Sequence, residues 1–345
     1  MPLADREREV LTTIIEAYIA SAAPVGSRVV SKRSSLGLSA ATIRNIMADL
    51  TDAGYLEQPH TSAGRTPTAK AFRLYLDQVM RPLPLCEDQK RRIIDNLTLA
   101  GLELDDVLRQ ASRLLSGLSL QVSMVIAPNP AQARFKRIDF SLLNPGLVMV
   151  LLVLQGGLVR KRVIETAPDV TTDDLIACSN YLNHLFTNRT LAEVRASIVR
   201  EMEEARRSLN ALCLRALTMA RSAFEQERAP ASEVIVDGTP NILSQPEFTD
   251  AEHMRELMRV LEERTILLDL LDKTVNGLKT VIIIGDESDQ AALADLGVIT
   301  APYGTGSRTL GAIGLIGPLR MDYAKLVPVV NYTASTLTRL LDRHF

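Results

Sequence analysis

The sequence predicts a multidomain α+β protein, in which a small helical unit at the N-terminus precedes a larger body of strands and helices. The chain has 345 residues, two to three times the ~100–200 residues of a typical domain. Hydrophobic residues make up 46% and charged residues 23%, which are ordinary values for a chain that buries a core. Helical periodicity fills the N-terminal stretch, whereas runs typical of strands alternate with helical segments beyond it.

The N-terminal unit, residues 1–80, has the order helix, helix, turn, helix. Asp5 is predicted to cap a first helix, whose apolar residues recur every three or four positions. A short helix follows from Ser27. Ser39 opens a third helix that closes at Gly54, because glycine favours the position just after a helix. This order indicates a helix-turn-helix unit.

Turn-forming residues predict a hairpin after the third helix, over residues 55–67. It would act as a wing beside that helix. Thr66 and Pro67 are predicted to begin a fourth helix, since proline suits the first helical turn. Residues 81–95 combine prolines with charges and therefore predict a linker between domains.

Strand-like runs and helical segments alternate in the body of the chain. The sequence predicts a meander of three strands joined by tight turns, then long helices, then further strands and a final helix. This order predicts one α/β domain, residues 96–171 and 276–345, interrupted by a helical insertion, residues 172–275. The predicted strands cover residues 122–127, 135–143, 147–154, 158–164, 281–284, 297–301 and 311–317, and the last helix covers residues 326–341.

The third helix has the two faces that a DNA-recognition helix needs. The Asn45 amide can bond N6 and N7 of adenine together, and Arg44 can contact guanine or a phosphate. Ser39 and Thr42 lie at the helix N-terminus, where they can orient backbone N–H groups towards phosphate. The buried face is predicted to hold Ile43, Ile46, Met47 and Leu50, and the opposite face Ala41, Asn45, Ala48 and Asp52.

Local charge points to a nucleic-acid partner, although the whole chain has a net charge of −2. Between residues 28 and 73, seven cations against three acids give a local charge of +4. Lys32 and the wing residues His60, Ser62 and Arg65 are candidate contacts to the DNA backbone or the minor groove. A helical domain for protein docking is the alternative that the pattern leaves open.

An apolar stripe between residues 191 and 223 advances by threes and fours, a period near 3.5 that a partner helix can meet. As one helix it would be about 50 Å long at ~1.5 Å per residue. It could form a seam between two copies, or pack inside the chain against the predicted helix at residues 250–275. The candidate dimerisation residues are Leu191, Ile198, Met202, Leu209 and Leu212.

No pattern favours an enzyme, a metal site or a cofactor. The four histidines and three cysteines show neither HxxxH nor CxxC spacing. The glycines of residues 303–311 have the wrong spacing for a dinucleotide loop and predict a hairpin turn. The longest apolar run, residues 147–154, is too short for a membrane helix, and the charged N-terminus does not resemble a signal peptide. The sequence predicts a cytoplasmic protein without a membrane partner.

Four segments carry a resemblance to a known family. Two of them are highly specific, namely His-Thr-Ser-Ala-Gly-Arg-Thr-Pro at residues 60–67 and Gly-Pro-Leu-Arg-Met-Asp-Tyr at residues 317–323. With these motifs the sequence resembles HrcA, the heat-inducible transcription repressors of bacteria. The segments are residues 24–27, 39–50, 54–67 and 311–323.

The resemblance implies a winged-helix DNA-binding domain, a GAF-like domain and a dimerisation domain inserted within it. It also implies a homodimer that represses chaperone operons by binding double-stranded DNA at an inverted repeat called CIRCE, with the GroEL chaperonin promoting its active form. Residues 311–323 are also similar to the effector domains of IclR-type regulators. A GAF-like domain that senses a small molecule is therefore the alternative.

Overall fold

The protein is a mixed assembly of helices and several antiparallel sheets, as the sequence predicts. None of the helices described has the length and apolar character that crossing a lipid bilayer requires. The computed structural model describes residues 3–60, 63–101, 103–128, 133–155, 158–207, 211–225, 233–243, 245–248, 251–288, 293–306 and 308–344.

The N-terminal unit contains four helices and a two-stranded hairpin. Val10, Leu11, Ile14 and Ile15 of the first helix are fully buried, which confirms its predicted periodicity. The elements are α1 (Asp5–Ser21), α2 (Ser27–Arg33), α3 (Ala40–Asp52), β1 (Leu56–Glu57), β2 (Thr66–Pro67) and α4 (Ala69–Gln78).

Two predicted helix caps in this unit are wrong, one by one residue and the other by two. Ala4, not Asp5, has the extended backbone of the N-cap, and its N–H donates to Glu7 Oε2 at 2.9 Å. Thr66 and Pro67 form strand β2 instead of opening α4. The helix begins after Thr68. The Thr68 hydroxyl donates to the Gly54 carbonyl at 2.8 Å, which joins the two ends of the hairpin before the helix starts.

The predicted linker over residues 81–95 is shorter than expected. Residues 81–86 form no helix or strand, and the Leu83 N–H donates to the Ala324 carbonyl at 2.8 Å. From Glu87 the chain is helical, because Ile93 and Leu97 lie one turn apart and are both buried. The elements involved are α5 (Glu87–Thr98), α6 (Leu104–Ser119) and α13 (Tyr323–His344), and α5 packs against both of the others.

The larger sheet, called the main sheet, has the antiparallel order β7-β3-β10-β9-β8. Helix α13 and helix α12 (Arg264–Gly277) pack on it. The predicted hairpin turn in the glycine-rich segment is confirmed, since Thr305 pairs with Arg308. The strands are β3 (Val122–Ile126), β7 (Val234–Asp237), β8 (Val281–Ile284), β9 (Leu296–Thr305) and β10 (Arg308–Pro318).

A second sheet, called the small sheet, has the antiparallel order β4-β5-β6 and confirms the predicted meander. Helix α7 packs on β4, and α9 contacts β6. Its elements are β4 (Phe135–Asn144), β5 (Leu147–Leu154), β6 (Val159–Glu165), α7 (Thr172–Phe186), α8 (Leu191–Arg207) and α9 (Ala211–Glu225).

The two sheets divide the body at other boundaries than those predicted for the inserted domain, residues 172–275. Strand β7 lies inside that range, yet it is hydrogen-bonded to β3 of the main sheet, and α12 packs on the same sheet. Conversely, among the described residues β4, β5 and β6 pair with one another in a sheet of their own, and α7 and α9 pack on it. Residues 133–225 therefore form the separate unit.

The predicted 50 Å helix is instead two helices, α8 and α9, which pack against each other. Leu191, Ile198 and Met202 are 2%, 2% and 8% exposed within a single chain, so they belong to its core. Leu212 is 40% exposed. Leu209 lies outside the described residues. A short helix, α10 (Thr239–Leu243), follows β7. The predicted helix at residues 250–275 is also two helices, α11 (Ala251–Glu262) and α12, with a break at Glu263.

Candidate nucleic-acid interface

Helix α3 begins at a side-chain cap that the sequence predicts. Ser39 has extended backbone, and its Oγ accepts a hydrogen bond from the Thr42 N–H at 3.1 Å. The two hydroxyl oxygens lie 2.9 Å apart. Both side chains are exposed. The cap therefore fixes the first turn of α3 at the protein surface, where a helix N-terminus attracts anions.

The two faces of α3 are separated as predicted. Ile43, Met47 and Leu50 are buried, and Ile46 is half-buried. On the exposed side, Arg44 and Asn45 make no side-chain hydrogen bond to any described residue, so their donors and acceptors are available to a ligand. The small side chains of the exposed face leave the helix backbone accessible. The exposed residues are Ala41, Thr42, Arg44, Asn45, Ala48, Asp49 and Asp52.

Exposed cations concentrate on α2 and the first half of α3, two helices that pack together. We call Arg28, Lys32, Arg33 and Arg44 the reader cations. All four are exposed, and none forms an ion pair with a residue that the structure describes. These charges are free to meet phosphate.

Other cations of the +4 segment are occupied by the protein itself. Lys70 Nζ donates to the Ala53 carbonyl at 2.8 Å and lies 4.4 Å from the centre of the Tyr55 ring. Arg73 pairs with Glu287 of the body. The local charge of +4 counted from the sequence is therefore larger than the charge available to a ligand. Within that segment, the reader cations are exposed and form no ion pair with a described residue.

The hairpin beside α3 is held by a second backbone pairing that the sequence did not predict. Val25 and Arg65 exchange two backbone hydrogen bonds, each of 2.9 Å. Gly64 packs so closely there that a Cβ atom would lie 2.5 Å from the carbonyl carbon and oxygen of Val25. Only glycine fits that contact. The motifs Pro24-Val-Gly-Ser27 and Gly64-Arg65 were visible in the sequence, but nothing in it showed that they meet.

The predicted wing residues differ in their exposure to solvent. His60 is exposed near the hairpin tip, and its carbonyl accepts from the Ala63 N–H at 2.9 Å. Arg65 is half-buried, and its Nε donates to Thr51 Oγ1 at 3.0 Å, so this side chain ties the hairpin to α3. Ser62 lies outside the described residues.

A specific contact fixes the N-terminal unit to the body. Arg73 donates to the Glu287 carboxylate and also to the Ile282 carbonyl at 2.8 Å. Burial by itself would raise the pKa of Glu287, but hydrogen bonds from Arg73 and the Ile284 N–H bring it below its ordinary value. The rings of Phe72 and Tyr323 lie 6.4 Å apart at the same junction. Ion pairing and aromatic packing therefore both hold α4 of the N-terminal unit against the body.

The described residues include neither a cluster that could bind a metal ion nor an activated Cys178 thiol. No group of three histidine, cysteine or acidic side chains able to hold a metal ion occurs among those residues. Burial raises the pKa of the Cys178 thiol to about 11, so this cysteine stays protonated at neutral pH. The exposed and unpaired groups of α2 and α3 are thus the best-defined surface for a polar ligand.

Comparison with known proteins gives a consistent result over the chain. Residues 105–327 match the family described as HrcA protein C terminal domain. A protein from Nitratidesulfovibrio vulgaris (strain DSM 19637 / Miyazaki F) is 46% identical, over 99% of this chain and 97% of its own. One from Geobacter sulfurreducens is 41% identical, over 99% and 98%. Both are named heat-inducible transcription repressor HrcA.

The fold also has a counterpart among solved structures. The crystal structure of a hypothetical protein at 2.2 Å resolution aligns over 100% of both chains, with a TM-score of 0.65 and 22% sequence identity. The two chains share the fold.

Proposed function

This chain belongs to the HrcA family of heat-inducible transcription repressors, and from that premise we propose that it binds the CIRCE inverted repeat of chaperone operons as a homodimer. In this proposal the N-terminal unit is a winged-helix reader and the main sheet is the core of a GAF-like domain. The GroEL chaperonin promotes the active form, as the resemblance implies. The observation that carries the proposal is an exposed α3 with free Arg44 and Asn45 beside the unpaired reader cations.

Helix α3 would enter the major groove with its exposed face towards the bases. Asn45 would bond adenine through its amide, and Arg44 would bond guanine or grip a phosphate. The alanines of that face allow close approach. Lys32, His60 and Ser62 would contact the DNA backbone or minor groove. Arg65 has its Nε held by Thr51, so it mainly positions the wing.

An inverted-repeat operator requires two readers related by a two-fold axis. Leu191, Ile198 and Met202 are buried in one chain, so they offer little surface to a second copy. We therefore place the seam on the outer face of the small sheet. Alternate residues of β5 point away from its helices, and Val159 and Val163 of β6 beside them are 49% and 57% exposed.

The outer face of the small sheet suits a second copy of the same chain. Its centre is an apolar patch, of a kind that soluble monomers rarely leave open. Charges of both signs surround the patch, so the same surface can complement itself after a two-fold rotation. The apolar residues are Leu147, Met149, Leu151, Val153, Val159 and Val163, and the charged ones are Arg137, Asp139, Lys161 and Glu165.

The test is a titration of three labelled duplexes, carrying the full inverted repeat, one half-site, or a scrambled sequence. We expect the wild-type protein to prefer the full repeat and to bind it more completely when GroEL is added. Val163→Lys should sediment as a monomer and lose the preference for two half-sites over one. Val199→Lys, an equally exposed change on α8, is the matched control and should behave as wild type.

Equal affinity of the wild-type protein for the repeat and the scrambled duplex would contradict the proposed function. If the Val163→Lys variant is still a dimer and still prefers the full repeat, the proposed position of the dimer interface is wrong, whereas the proposed operator recognition is unaffected.

A further inference from the structure

The β4 edge of the small sheet is closed by side chains of α7. The Ile138 N–H donates to Asn183 Oδ1 at 2.7 Å, and the Asn183 amide donates back to the Ile138 carbonyl at 3.0 Å. The Phe140 N–H donates to Ser179 Oγ at 3.3 Å. The protein therefore satisfies backbone groups at this edge with its own residues.

The β6 edge of the same sheet has no such cover. Val150 of β5 pairs with Arg162 of β6, and in the same register the Thr166 N–H donates to the Gly146 carbonyl at 2.9 Å. Because hydrogen-bonded pairs alternate along an antiparallel ladder, every second residue of β6 directs its backbone N–H and C=O away from β5. None of these groups bonds to a described residue, and we call them the open edge. They belong to Val159, Lys161, Val163 and Glu165.

Three consecutive cations, Arg160, Lys161 and Arg162, lie along the open edge. None of them forms an ion pair with a described residue. Lys161 is exposed on the outer face of the sheet, whereas both arginines are half-buried on the inner face. Directly opposed residues of neighbouring strands have Cβ atoms only ~4.5–5.5 Å apart, so the side chains of an added strand would lie next to these charges.

These charges determine which strand can be added. A second copy of β6, placed antiparallel by a two-fold axis, would bring cations opposite cations, and like charges in opposed positions destabilise a sheet. Charged edge strands prevent unselective pairing for the same reason. A strand that has acidic residues at alternate positions is attracted instead, so charge both excludes a second copy and favours an acidic partner.

We propose that the open edge binds an acidic extended segment of a partner protein, which joins the small sheet as a fourth strand. Main-chain hydrogen bonds to the open edge supply affinity, and acids opposite Arg160 and Arg162 supply specificity. The residues between those acids lie on the outer face, beside Val159 and Val163. This binding does not depend on the proposed operator recognition, and it is measured without DNA.

The experiment measures the binding of three fluorescein-labelled peptides to the full-length protein by fluorescence anisotropy. The peptides are Thr-Glu-Val-Glu-Val-Glu-Thr and its analogues with glutamine or lysine in place of glutamate. We expect the glutamate peptide to bind at least about tenfold more tightly than the glutamine peptide, and the lysine peptide not to bind. A glutamate peptide with isotope-labelled backbone carbonyls should show the infrared amide I band of a β-strand when bound.

Two substitutions of Lys161 separate its charge from its backbone. Lys161→Ala removes the charge alone and should weaken binding of the glutamate peptide ~2–5-fold. Lys161→Pro also removes an N–H that β5 does not use, so the sheet tolerates it and peptide binding should be lost. Lys136→Ala, the matched control, removes an exposed lysine from β4 at the closed edge and should leave binding unchanged.

The proposal is overturned if the lysine peptide binds as tightly as the glutamate peptide, or if the bound glutamate peptide lacks the infrared signature of a strand. It is also overturned if Lys161→Pro, in a folded protein, binds the glutamate peptide as tightly as Lys161→Ala does. If no peptide binds and Lys161→Pro turns a dimer into a monomer, a second copy occupies the edge and the acidic partner is excluded.

Discussion

Substitutions of Ser39 separate its role as a helix cap from its proposed position near DNA. Ser39→Ala removes the acceptor that lies 3.1 Å from the Thr42 N–H, and loss of such a cap costs about 1 kcal/mol of stability. Ser39→Asp keeps a cap of equal quality. It also adds a negative charge where a phosphate would lie, and two like charges at 4 Å repel by ~1–4 kcal/mol between bulk water and a protein surface.

We therefore expect one substitution to lower stability and the other to lower operator affinity. Ser39→Ala should lower the free energy of unfolding by about 1 kcal/mol, measured by urea titration. Ser39→Asp should be as stable as wild type, yet it should bind the operator at least ~5-fold more weakly, the equivalent of about 1 kcal/mol. The assay pairs urea unfolding, followed by circular dichroism, with operator titration at fixed salt.

Thr171 gives a matched control for the cap, because it caps α7, far from α3 in the sequence. Its Oγ1 accepts from the Asp174 N–H at 3.2 Å, and Thr171→Ala should lose similar stability without changing operator affinity. The reasoning is refuted if Ser39→Asp binds the operator as tightly as wild type, or if Ser39→Ala is as stable as wild type.

Two further predictions concern the contacts that position the reader. Gly64→Ala forces a Cβ atom to within 2.5 Å of the Val25 backbone and should destabilise by ~1–3 kcal/mol in urea titration; Gly117→Ala, inside α6 with nothing within 4 Å, should not destabilise. Arg73→Ala should destabilise by about 1–2 kcal/mol at pH 7. The ion pair with Glu287 stabilises the fold fully above pH 4.5, the ordinary pKa of a glutamate, and this stabilisation is lost as the pH falls through the lower pKa that Glu287 has in the folded protein. The loss of stability caused by Arg73→Ala should therefore become smaller below pH 4.5. A loss of stability that does not change with pH would contradict this prediction.

Local patterns were enough to predict most of the elements. The 3.6-residue period of α1, the helix start at Ser39 and the apolar run that forms β5 each depend on residues close in sequence, and each is confirmed. The start of α4 was predicted wrongly, because Thr66 and Pro67 suit a strand as well as a first helical turn.

Long-range pairing explains what the sequence could not predict. Nothing local shows that β7 joins β3, or that the apolar stripe folds back on itself as α8 and α9. The same limit applies to the interface. Arg65 and Arg73 count as cations in the sequence, but their partners Thr51 and Glu287 come from other elements.

Titration of the operator over a range of salt concentrations tests the central claim, that α3 reads bases while the neighbouring cations bind phosphate. Asn45→Ala should lose ~1–3 kcal/mol of discrimination between the operator and a mismatched duplex, with an unchanged salt slope. Lys32→Ala should weaken binding to both duplexes alike and lower the salt slope by about one. If the two variants lose the same discrimination and show the same salt slope, the account is contradicted.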